Sequence, residues 1–68
     1  MDPYYVEPAM LGDDATAQDA ARMVELLQAR GYNVEIGSAL HNTDEARDTI
    51  PQSAWDDCLD ILSREKFS

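Results

Sequence analysis

The chain has 68 residues, with fourteen Asp/Glu against five Lys/Arg and a formal net charge of −9. One cysteine and one histidine exclude an intrachain disulfide and a Cys/His zinc set, and the acidity disfavours direct contact with nucleic-acid phosphates or anionic lipid. A chain this short makes one domain, 1–68, that buries only about 60% of the surface its unfolded form exposes, around a thin core worth about 3–5 kcal/mol.

Residues 4–10 mix aromatic and β-branched side chains in alternation and predict a strand, with Tyr4 and Val6 on one face and Tyr5 and Glu7 on the other. Pro8 cannot donate to a ladder, so it belongs on an unpaired edge or at the strand's end. Gly12, Asp13 and Asp14 form the exit turn. A helix is predicted over 16–30. Thr16 caps it with Asp19 in a short capping box, and Ala20, Met23, Val24 and Leu27 recur at helical spacing as one apolar stripe. Asp19, Arg22 and Glu25 lie off that stripe, toward water. Arg30 suits the negative helix end and Gly31 supplies a left-handed stop.

Residues 32–36 alternate as a second strand, with Tyr32, Val34 and Ile36 toward the helix and Asn33 and Glu35 away from it. Strand, helix and strand in this order make a βαβ unit with parallel strands and a right-handed crossover. Residues 37–49 read as a polar loop, in which Asn42 and Glu45 can start one helical turn through Arg47. A final helix is predicted over 50–66, with Pro51 in its first turn and either Thr49 or Ser53 as its cap. Its buried stripe is Trp55, Cys58, Leu59 and Leu62, and Asp56, Asp57 and Asp60 lie on the opposite side. The fold class is therefore α/β (α+β): a small β-α-β unit with a parallel two-stranded sheet plus a C-terminal helix. Two strands alone are marginal, so either the helices supply most of the core or the sheet continues across a homodimer.

The residues that carry chemistry are mostly acidic. Asp44, Glu45 and Asp48, followed by Asp56, Asp57 and Asp60, can imitate phosphates on rigid helix faces, with only Arg47 among them to offset the repulsion; each alone reads rather better as a solvated residue, and the cluster reads equally well either way. Tyr5 is a candidate binding anchor or a half-buried edge aromatic. His41 beside Asp44, Glu45 and Asp48 has metal-ligand types but fits neither a closed zinc set nor a calcium loop. Cys58 lies on an apolar stripe, where cysteine behaves as a small hydrophobe. The sequence has no Gly-rich phosphate loop, no G-x-S-x-G elbow and no H-E-x-x-H, so no enzyme, cofactor or metal is expected. No run approaches the roughly 18 apolar residues of a membrane span. The start at Met1, Asp2 and Pro3 lacks the basic, apolar pattern of a signal peptide, which together with a lone cysteine points to a reducing cytoplasm.

Short length, strong negative charge, one domain and no catalytic, metal or nucleic-acid motif together resemble the small acidic inhibitors of phages and other mobile elements, the anti-CRISPR proteins and DNA mimics. The resemblance is one of overall character over the whole chain and carries no motif from which a site residue could be transferred. It implies stoichiometric binding in the bacterial host cytoplasm to a basic protein surface of a nucleic-acid-processing complex. A small dimeric structural or regulatory module is the alternative.

Overall fold

The structure, a computed structural model, describes residues 2–67; Met1 and Ser68 lie outside them. Strand β1 (Tyr4–Val6), helix α1 (Ala17–Ala29), strand β2 (Val34–Ile36), a short helix α2 (Asp44–Asp48) and helix α3 (Gln52–Phe67) follow in order, with 3₁₀ turns at Pro8–Met10 and Ala39–His41. The two strands pair in parallel, Tyr4 opposite Val34, Tyr5 opposite Glu35 and Val6 opposite Ile36, giving the expected parallel two-stranded sheet with helices.

Both strands are shorter than their patterns predicted. β1 stops at Val6 rather than running to Met10, because Pro8 opens a turn closed by Met10 N to Glu7 O and Leu11 N to Pro8 O (3.1 and 2.9 Å) and has no N–H for a ladder. β2 starts at Val34 rather than Tyr32, because Tyr32 still belongs to the end of α1. Its N–H donates to Leu27 O at 3.2 Å while Gly31 N donates to Gln28 O at 2.9 Å, the paired bonds of a Schellman stop. Gly31 reaches φ +92° to make them, a conformation that costs other residues roughly 1–2 kcal/mol.

Helix α1 starts where the capping box placed it: Asp19 N donates to Thr16 Oγ1 and Thr16 N to Asp19 Oδ2. Its stripe Ala20, Met23, Val24 and Leu27 is buried and forms one core with Val6, Val34 and Cys58. α1 thus packs through this one stripe against both the sheet and α3. Ile36 departs from expectation. It shares the face of Val6 but ends β2, with no further strand beside it among the described residues, and stays 54% exposed.

The polar loop contains more structure than its composition suggested. Thr43, not Asn42, caps α2, accepting from Ala46 N at 3.1 Å. Asn42 is occupied elsewhere. Its Oδ1 accepts from Tyr5 N and its Nδ2 donates to Tyr5 O (2.6 and 3.0 Å). Tyr4 N donates to Asn33 O, and Val6 O accepts from Gly37 N, so the intervening Tyr5 peptide groups point to the other edge of β1. One side-chain amide there replaces a neighbouring strand's peptide. The outward carbonyl of Val34 likewise accepts from Gln28 Nε2 at 3.0 Å. An edge-joined dimer would have to displace Asn42 to pair with β1 at Tyr5.

The last helix begins at Gln52, two residues later than predicted. Neither Thr49 nor Ser53 caps it: Ala54 N and Trp55 N both donate to Pro51 O (3.1 and 3.2 Å), while the Thr49 hydroxyl donates back to Ala46 O (2.6 Å) and closes α2. In its stripe Cys58 is fully buried and Ala54 joins it; Trp55 and Leu59 are partly covered, and Trp55 meets Tyr4 edge to face at 5.9 Å. Replacing Asn42 with Ala is expected to cost about 1–3 kcal/mol, the usual penalty for stranding a covered polar group. A urea titration followed by circular dichroism measures it, and an unchanged midpoint would show that water replaces the amide without loss.

Candidate functional site

The predicted acidic residues fall on two helices: Asp44, Glu45 and Asp48 on α2, and Asp56, Asp57 and Asp60 on α3. All six are exposed. Within each helix the first and last of the set lie one turn apart and share a face. Among the described residues no hydrogen bond or ion pair joins the α2 set to the α3 set.

Their electrostatic states differ. Each of the five cations in the chain is engaged by a carboxylate: Arg22 with Glu25 and Glu65, Arg30 with Asp57, Arg47 with Asp44, Arg64 with Asp60, and Lys66 with Asp19. Asp44, Asp57 and Asp60 therefore carry a partly neutralising partner, at 3.7, 3.5 and 2.7 Å respectively. Glu45, Asp48 and Asp56 have no cation among the described residues, and Asp56 only accepts from the Gln52 amide at 2.9 Å. Exposed pairs of this kind contribute little to stability and are screened by salt, so their arginines can exchange partners. The other three face solvent with no cation beside them among the described residues.

Tyr5 lies apart from the α3 carboxylates. Its register partner Glu35 and the buried faces of Tyr4, Val6 and Val34 put its ring on the side of the sheet away from α1. It is half-buried there, T-shaped to His41 at 6.0 Å and pressed on Gly37, where a Cβ would stand 2.5 Å from Tyr5 Cδ1. Gly37 is needed for this close approach, and its backbone has no left-handed conformation. Gly37→Ala is expected to destabilise by about 1–3 kcal/mol, as overpacking does, and most of that loss should vanish in a Tyr5→Ala background. Additive effects in a double-mutant cycle would show that the ring is not the obstacle.

His41 faces this ring. Among the described residues no group of three or more His, Cys, Asp or Glu side chains is placed to hold a metal. Cys58 is fully buried in the core, and desolvation pushes its thiol up, away from the thiolate a nucleophile needs. No described helix is long and apolar enough to cross a membrane.

Sequence patterning missed the charged pairs that reach across the fold. Arg22, expected in water, makes a two-pronged bond to Glu65 on α3, Nε to Oε1 at 2.9 Å and Nη2 to Oε2 at 2.8 Å. Asp19, beyond its capping bonds, accepts from Lys66 Nζ at 3.1 Å, and its side chain is only 15% exposed. Both pairs link α1 to the far end of α3 across more than 40 positions, and no local spacing reveals such partners. No protein-family model, curated protein or solved structure matches the chain.

The Arg22 hydrogen bonds hold the Glu65 carboxyl below its ordinary range. The backbone N–H of Thr16, and then Lys66, do the same for Asp19. The folded chain therefore binds fewer protons at these groups than the unfolded chain. Their contribution is complete above the ordinary carboxylate range and is lost as pH falls through the depressed folded values. The gap in urea midpoint between wild type and Glu65→Gln is expected to be open at neutral pH and to close on acidification below about pH 4. A gap that does not vary with pH would remove Glu65 from the clamp.

Proposed function

We propose that this chain is a small acidic protein-binding inhibitor that acts stoichiometrically, without cofactor, by occupying a basic surface of a nucleic-acid-processing complex such as a bacterial CRISPR-type defence assembly. The observation that carries the reading is the distribution of charge. Among the described residues every Lys and Arg is paired with a carboxylate, which leaves Glu45, Asp48 and Asp56 as uncompensated anions on α2 and α3. Carboxylates held in this way can stand where phosphates stand in a Lys/Arg-lined groove. Asp44, Asp57 and Asp60 join them when their arginines are exchanged for the partner's cations. Tyr5, half-buried against His41 on the side of the sheet away from α1, is the candidate aromatic anchor of this reading. Charge complementarity of this kind mainly speeds encounter, which suits an inhibitor competing with nucleic acid in the host cytoplasm.

The test is affinity capture from bacterial lysate with the tagged chain at low and moderate salt, read by mass spectrometry. A nucleic-acid-binding complex recovered in stoichiometric yield and displaced by DNA is the expected result. The combined variant Glu45→Lys, Asp48→Lys, Asp56→Lys should associate at least about tenfold more slowly, within the range that electrostatic steering supplies. Undiminished capture by that variant would overturn the reading.

A further inference from the structure

A groove of about 330 Å³ opens where the turn after β1 meets the second half of α3. Leu11, Leu59, Leu62 and Phe67 supply its apolar lining. Leu11 and Leu59 also pack on the core, so the floor is continuous with the folded interior. Phe67 at one end is 80% exposed, and Leu62 is only half covered. Phe67 is thus an exposed aromatic beside a formed concavity, an available contact point for a partner.

The rim identifies the occupant. Asp13 and Asp14 stand exposed on it with no cation among the described residues. Lys66, the one cation lining the groove, is tied to Asp19. A groove lined in part by apolar side chains and edged with free carboxylates fits a segment that offers an aliphatic or aromatic side chain flanked by Lys or Arg. A second copy of this chain would bring its own net charge of −9 against the same rim, and nucleic acid or an anionic membrane would bring phosphate.

We infer that this groove is a docking site for a basic amphipathic segment of a partner protein, whose apolar residue enters between Leu11 and Leu62 while its cations meet Asp13 and Asp14. The mode is that of an amphipathic peptide laid into a hydrophobic groove. The inference rests on the reading of the chain as a binder of basic protein surfaces. It adds an apolar anchor point at a place where none of the α2 carboxylates contributes.

The experiment is a titration of the full ¹⁵N-labelled chain with a synthetic peptide that repeats Leu-Lys-Lys-Leu three times, followed by amide chemical shifts. A peptide of the same length made only of lysine and one repeating Leu-Glu-Glu-Leu serve as controls. Saturable shifts confined to residues 11–15 and 59–67, strong with the first peptide and absent with the acidic one, are expected. The Leu62→Glu variant should bind the first peptide about tenfold more weakly, a factor set by about 1.4 kcal/mol. If that variant loses its helical signal, the exposed pair Asp13→Lys and Asp14→Lys decides with the same expected loss. Equal binding by the lysine-only peptide, shifts centred on α2, or no saturable binding would each overturn the groove. Because Glu45, Asp48 and Asp56 are untouched here, the groove can fail while their charge reversal still abolishes capture, and the reverse outcome is equally visible.

Discussion

The Asn42 side chain donates to Tyr5 O and accepts from Tyr5 N, and much of the architecture follows from that pair of bonds. Two three-residue strands cannot satisfy their own outer edges, and an open edge is both unstable and adhesive. A single amide at β1 and the Gln28 amide at β2 supply some of what further strands would have supplied. Fixing Asn42 to β1 also fixes what comes after it, because Thr43 caps α2 in the next position. The placement of the α2 carboxylates therefore rests on a hydrogen bond to a strand together with the packing of Ala46, the buried residue of α2.

Charge is divided between two uses in this chain. Near the α1–α3 contact it is structural: Arg22 with Glu65 and Lys66 with Asp19 join the outer sides of two helices whose buried contact runs through Met23, Leu27 and Cys58. On α2 and the first half of α3 the carboxylates hold nothing across the fold except through Arg30 and Asp57 at 3.5 Å. Such a split is economical in a small domain. Arg22, Arg30 and Lys66 link α1 and its flanks to α3, while Arg47 and Arg64 pair within their own helices.

Much of this was legible in the residues. The α1 stripe, its Thr16 cap, the Gly31 stop and the parallel order of the strands are all local patterns, and local physics enforces them. The ends of elements were harder to read, because the deciding partner lay far away in the chain or a residue had two roles open to it. Asn42 has the chemistry of a helix cap and was taken instead by Tyr5. Thr49 has the chemistry of a cap for α3 and instead closed α2. Tyr32 alternates like a strand but completes the hydrogen bonds of α1. The acidic candidates were legible as residues, but which of them keep their charge uncompensated depended on where five cations came to rest, and that is a property of the folded chain alone.

The buried cysteine has one more implication. Cys58 is the only thiol in the chain, it is sealed between α1 and α3, and a thiol reacts only when it is exposed and ionised. The natural sequence thus contains its own clock for the opening of that interface. The rate at which a thiol reagent labels the protein counts how often α3 lifts away, without any engineered probe, and a partner that clamps the helix would slow the count.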